Sequence, residues 1–237
     1  MCLSISRKAT MLVALVLVAS ALRAAPNAQQ NGRSSSVVAA PDKTYGVNAA
    51  PIKMEVFTDY QCPTCRAFYD QTLRHVIAEY VPSGKVYLVH HDFPLMMHKY
   101  SGQAARWADA CAEVGDFAPV EAALYDNQES WGADGNIAKY VAAVIPAADF
   151  KRVQLIMKGN SLPAPQATTA SADPLAGISH PCEVDTYIAQ DIKLGYKIGA
   201  PGTPDFVITY KGHAFAPVYS AVSWPVLKQL FDALLRQ

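Results

Sequence analysis

The spacing of apolar and polar positions divides the chain into zones of different kind. Met11 to Leu22 is an unbroken apolar run, with Arg7 and Lys8 before it and the small residues Ala24 and Ala25 behind it. From Pro26 to Thr44 no apolar period survives, and this Pro- and Ser-containing stretch predicts a disordered tether. Order returns further on. Ile52, Met54 and Val56 alternate with Lys53, Glu55 and Phe57, the period of a strand that ends near Thr58. Phe68, Tyr69, Thr72, Leu73, Val76, Ile77 and Tyr80 then recur at helical spacing until Pro82-Ser83-Gly84 stops them. Val86 to His90 reads as a second strand. Two strands joined through one helix favour parallel pairing with a right-handed crossover.

A long helical stretch follows. Its stripes are Ala104, Trp107, Ala108 and Cys111, then Val120 and Leu124, then Ile137, Val141 and Val144, then Phe150, Val153 and Ile156. Ser161 to Ser179, rich in Ala, Pro, Ser and Thr, predicts a mobile loop, and Pro181 opens a further helix through Val184, Ile188 and Ile192. Phe206 to Thr209 is a strand, Lys211-Gly212 a turn, Ala214 to Tyr219 its hairpin partner, and Val226 to Leu235 a closing helix. The order predicts an α/β domain over 45–237, a central mixed sheet flanked by helices, with a helical insertion at about 98–180.

Composition adds the compartment. A charged start, a short apolar run and small residues make 1–25 a secretory signal peptide. The run is shorter than the roughly 20 residues a spanning helix needs, although an uncleaved anchor is the alternative. Arg7, Lys8 and Arg23 leave with the leader, so 20 basic against 20 acidic residues become 17 against 20. A mildly acidic chain without a basic stripe excludes nucleic acid as a partner. Cys2 leaves too, and the four remaining cysteines suit an oxidising, periplasmic or extracytoplasmic setting.

Chemistry concentrates at Cys62-Pro63-Thr64-Cys65, at the junction of the first strand and the first helix. Cys62 is placed as N-cap and Pro63 at the first helical position, where a missing N–H costs nothing. Free N–H groups and the positive helix end then favour the Cys62 thiolate, lowering its pKa from about 8.5 into a range of roughly 3.5 to 7.5. Cys65, one turn further in on the buried face, is the resolving thiol, and this spacing brings the sulfurs within bonding distance. Zinc is the competing use of such a pair, but it needs a second pair, and Cys111 and Cys182 stand alone.

Three ordered blocks, Phe57-Thr58-Asp59-Tyr60-Gln61-Cys62-Pro63-Thr64-Cys65, His91-Asp92-Phe93-Pro94-Leu95 and Gly202-Thr203-Pro204, resemble the DsbA-like branch of the thioredoxin superfamily. The resemblance runs from about Ile52 to the C-terminus. It implies a thioredoxin fold with inserted helices and a protein thiol–disulfide oxidoreductase that needs no cofactor and no metal. It also implies that Thr203 precedes a cis Pro204 and pairs with the substrate backbone. The implied partners are unfolded or disulfide-containing proteins, and a membrane redox partner, either a quinone-linked oxidase or an electron donor. Relatives often carry a second disulfide among the inserted helices, so Cys111 and Cys182 are expected to be bonded, two buried thiols being the alternative. The Pro-Thr dipeptide lacks the His of strongly oxidising members, leaving oxidation and reduction or isomerisation both open. A scaffold used only for binding is a further alternative.

Other residues admit plainer roles. Glu55 is either a proton acceptor beneath Cys65 or, by the stronger reading, a solvent-facing strand residue. Asp59 either does the same or shapes the turn. His90, His91 and His98 read as caps or surface residues in preference to metal ligands, Arg66 as a solvated first-turn residue, and Trp107 and Trp131 as core. No dimerisation segment is evident at the N-terminus, and a monomer is expected.

Overall fold

The computed structural model describes residues 42–158 and 183–237, which belong to one compact unit. The leader, most of the tether, the Ser161–Ser179 loop and Cys182 lie outside the described residues. The strands are β1 Thr44–Tyr45, β2 Ile52–Thr58, β3 Val86–Asp92, β4 Asp205–Tyr210 and β5 His213–Ala214. They form one sheet in the order β1-β3-β2-β4-β5, with β2 and β3 parallel and the other pairs antiparallel. Helix α1 starts at Pro63–Phe68 and continues as π-wound turns at Tyr69–Leu73 and Val76–Tyr80. Between β3 and β4 stand α2 Ser101–Ala112, α3 Phe117–Asp126, α4 Gln128–Asp134, α5 Ile137–Ala142, α6 Ala147–Lys158 and α7 Glu183–Ile198, and α8 Trp224–Leu235 closes the chain. None of the described helices is long and apolar enough to cross a membrane.

The alternation in β2 sorts its side chains between two layers. Ile52, Met54 and Val56 are buried, and Val56 pairs with Phe206, whose ring stacks on Phe68 of α1 at 5.7 Å. Phe57, on the opposite face, stacks on His91 at 4.7 Å and lies under α7. There α7 comes so close that a Cβ on Gly195 would sit 2.5 Å from Phe93 and 3.3 Å from Phe57. Gly195→Ala should therefore destabilise the fold, because overpacking at ~1–3 kcal/mol outweighs the ~1 kcal/mol of helix propensity gained. Gly102→Ala in α2 meets nothing and should not. Urea denaturation of both variants checks this, and an unchanged midpoint for Gly195→Ala would contradict the close contact.

Two expectations need correction. Asp42 to Thr44 are not tether: Thr44 pairs with Val89, and the Lys43 carbonyl accepts the His90 N–H at 2.9 Å. The Lys43 ammonium is buried against Asp92, Asp109 at 2.7 Å and Asp191 at 2.8 Å, joining β3, α2 and α7. A charge anchored by other charges leaves no trace in apolar periodicity. The hairpin partner is also shorter than Ala214 to Tyr219. Lys211 (φ 47°) and Gly212 (φ 81°) make a two-residue turn, β5 ends at Ala214, and only the Phe206–Val218 bridge resumes the pairing. Pro217, which has no N–H to give, stands at the interruption.

Candidate redox site

β2 ends at Thr58, and the turn Asp59–Gln61 delivers the chain to α1. Cys62 has extended backbone angles (φ −74°, ψ 121°), its carbonyl accepts the Arg66 N–H at 3.1 Å, and Pro63 opens the helix. Cys62 is thus the N-cap by backbone. Its side chain makes no capping hydrogen bond, because in this dithiol state the S–H points at the Thr203 carbonyl, 3.7 Å away. Thr203–Pro204 is cis and leads directly into β4, whose antiparallel pairing with β2 carries it to the cysteines. Cys65 is fully buried, and its sulfur accepts the Asp59 N–H at 3.5 Å.

The two sulfurs are driven apart in acidity. The Cys65 thiol, donating to its neighbour, is the chief reason that Cys62 falls to about 5. Burial opposes this, while the Cys65 N–H, the Thr203 hydroxyl and the Thr64 N–H add to it. The Thr203 hydroxyl is buried and has no partner while Cys62 is protonated, so it is free to donate to the anion. Burial pushes Cys65 up, and the proximity of Cys62 pushes it further. The pair is thus one acid thiol beside one that resists ionisation.

The helices between β3 and β4 grip this loop. Gln128 of α4 donates its amide N–H groups to the carbonyls of Tyr60 (2.6 Å) and Cys62 (3.0 Å). Gln61 accepts the Tyr100 N–H at 2.7 Å and donates to the Gly132 carbonyl at 3.3 Å. Arg66 is not simply solvated but pairs with Glu129 of α4 at 2.7 Å. Trp131 is buried among these helices, and Trp107 is nearly so.

The histidines are not surface caps. His90 is buried between Glu121 (2.8 Å) and the Thr58 hydroxyl (3.1 Å). Burial opposes its charge, but hydrogen bonds to Asp92 and Glu121 outweigh this and lift its pKa to about 9. His91 lies between Asp191 (2.7 Å) and Glu55 (3.3 Å), and His98 against Asp59 (2.7 Å). Glu55 is partly buried between His91 and Lys53, not free on the surface; the bond from His91 holds its carboxyl below the ordinary range. Each ring is bonded to one or two carboxylates, and among the described residues no group of three or more His, Cys, Asp or Glu is arranged for a metal ion. Cys111 is buried, its thiol pushed up to about 12 chiefly by burial. Its expected partner, Cys182, lies outside the described residues. Gln128 and the Glu121–His90–Thr58 chain were invisible beforehand, since polar residues on helices otherwise read as solvated faces.

A family model described as Thioredoxin matches residues 39–214. A disulfide bond formation protein D of Bacillus cereus is 28% identical over 115 residues, 46% of this chain; the match spans about half (53%) of that relative. Among solved structures, Wolbachia pipientis alpha-DsbA1 superposes with a TM-score of 0.61 at 18% identity, covering 84% of this chain and 93% of that one. Bacillus subtilis BdbD in its oxidised form gives 0.58 at 15% identity, covering 84% and 94%. These structures share the fold. The chain belongs to the thioredoxin family.

Proposed function

We propose that this chain is an exported protein thiol–disulfide oxidoreductase working through Cys62-Pro63-Thr64-Cys65. The observation that carries the reading is the split in acidity between two adjacent sulfurs, one at a helix start facing Thr203 and one sealed beneath it. At neutral pH the Cys62 thiolate attacks, or as a disulfide is attacked, and forms a mixed disulfide with a substrate cysteine. Cys65 then closes the Cys62–Cys65 bond or, in the reverse direction, is set free. Thr203 and Pro204 hold the extended substrate segment by backbone bonds.

The direction follows from linkage. A folded thiol at about 5 against an ordinary 9 stabilises the reduced state once pH exceeds 5. The advantage grows between 5 and 9, is complete above 9, and vanishes as pH falls through 5. A stabilised dithiol makes the disulfide form an oxidant, so net disulfide formation in unfolded proteins is the favoured direction. Turnover then calls for a membrane partner that removes electrons, of the quinone-linked kind; a reductase or isomerase would require an electron donor instead. The leader pattern and the even cysteine count support a periplasmic or extracytoplasmic location for a monomer.

Alkylation rates against pH test the reading. Cys62 should react with a midpoint at about 5, and Thr203→Val, which removes one donor to the anion, should raise that midpoint by about one unit. A wild-type midpoint near 9 would remove the basis for the proposal.

A further inference from the structure

We propose that Asp59 is a positioning residue for the resolving step, holding its own amide N–H on the Cys65 sulfur by means of its fully occupied carboxylate. The proposal rests on the oxidoreductase reading and deepens it. Asp59 is wholly buried, and its backbone touches both cysteines: its N–H donates to Cys65 at 3.5 Å and its carbonyl accepts the Cys62 N–H at 3.0 Å. Its side chain accepts four hydrogen bonds. Oδ1 takes the Gln61 N–H at 2.7 Å and the Ser101 hydroxyl; Oδ2 takes the Leu95 N–H at 2.8 Å and His98 Nδ1 at 2.7 Å. All four lone-pair sites of the carboxylate are engaged, and none of the four donors is Cys65. What it does is fix a turn. The donors come from the turn itself, from the segment after β3 and from α2, so the Asp59 peptide unit cannot rotate without breaking bonds to all three.

The electronic need for that N–H arises in one step. Resolution begins from the mixed disulfide of Cys62 with a substrate sulfur. Cys65 gives up its proton, its sulfur attacks Cys62 Sγ, the Cys62–Cys65 bond forms and the Cys62–substrate bond breaks. The substrate sulfur leaves with the electron pair and takes up the proton that Cys65 released. The protein dithiol is thereby oxidised by two electrons and the substrate disulfide reduced. Negative charge on Cys65 builds at a site shut off from solvent, where burial is hostile to it. Cys62, whose charge opposes it, is tied up as a disulfide at that moment. The groups remaining around Cys65 are the Tyr125 phenol, kept neutral by burial, the Thr203 hydroxyl, and the Asp59 N–H, which already donates to it. An N–H held in place before the charge develops stabilises it without reorganisation.

The test uses the full chain, reduced, mixed with oxidised glutathione, with acid-quenched samples read by mass spectrometry. Asp59→Asn turns one acceptor into a donor, so two of the four bonds are lost and the turn loosens. The expected result is accumulation of the Cys62–glutathione adduct, with resolution slowed about tenfold and its pH midpoint moved upward. Cys62 alkylation should keep its midpoint at about 5. His98→Ala removes a single donor from the less buried side and should slow resolution about threefold, so the inference does not depend on one variant folding well. Unchanged resolution rates and pH profiles in both folded variants would overturn it, as would slowing with no shift of the resolution midpoint, since a merely structural role leaves the acidity of Cys65 where it was. If oxidised glutathione converts the reduced wild-type chain neither to an adduct nor to the Cys62–Cys65 disulfide, the oxidoreductase reading fails, and this inference fails with it.

Discussion

Cys62→Ser is expected to bring thiol–disulfide exchange down to background, a loss of roughly a thousandfold or more, because a hydroxyl is not ionised where the thiol is an anion. Cys65→Ser should do something different. Cys62 remains able to attack, so mixed disulfides form and then persist. Reduction of insulin and oxidation of a reduced, unfolded protein give the rates, and non-reducing electrophoresis shows the trapped species. The asymmetry is the informative result. It follows from one sulfur sitting at the helix start beside Thr203 while the other lies sealed beneath it. Comparable residual activity in the two variants would mean that the cysteines are interchangeable, which the acid Cys62 and the raised Cys65 do not allow. Full activity in Cys62→Ser would leave only the scaffold, a thioredoxin fold used for binding.

What could be seen beforehand was whatever depends on period and local spacing. The alternation of Ile52, Met54 and Val56, the helical stripe from Phe68 to Tyr80, and Pro63 between two cysteines each carry their meaning within a few residues. The parallel pairing of β2 with β3 and the place of Cys62 at the start of α1 followed from them. The interactions that tie distant segments together did not. Gln128 donates to Tyr60 and Cys62 across 66 to 68 positions, and His90 meets Glu121 across 31. Such residues look like ordinary polar positions on a helix or strand until the fold buries them. Asp59 shows both sides. Its turn-shaping role was one of two readings, but four donors from three segments could only be counted once those segments were in place. The mechanism of the thiolate also changed in detail: the helix start was expected to be its main support, whereas the neighbouring Cys65 thiol contributes more.

Lys43→Met should be the most damaging change away from the cysteines. The ammonium is the shared counter-ion of the buried Asp92 and Asp109 and the partly buried Asp191. A methionine of similar length keeps the packing but leaves three acidic groups without it. Removing one partner of a buried ion pair costs ~3–5 kcal/mol, since the remaining charge is neither solvated nor paired. At ~2–4 °C per kcal/mol for a chain of this size, Tm should fall by roughly 6–20 °C. The dependence on pH distinguishes charge from packing. Burial works against all three ionised forms and raises Asp109 well above the ordinary 3.8, but Lys43 and their histidine partners hold Asp92 and Asp191 below it, and these two carry the pH dependence. Their contribution to the wild-type fold is therefore present above 3.8 and lost as pH falls through their lowered values. In the variant those carboxyls take up protons more readily, so the penalty shrinks in acid and the two unfolding curves approach one another below about pH 4. A constant gap from neutral to acid pH would show that the loss comes from packing alone. Because Lys43 precedes β1, the same cluster makes the domain's folding depend on the last residues of what reads, in sequence, as a tether. Deleting residues through Lys43 should destabilise the remainder at least as much as the substitution does.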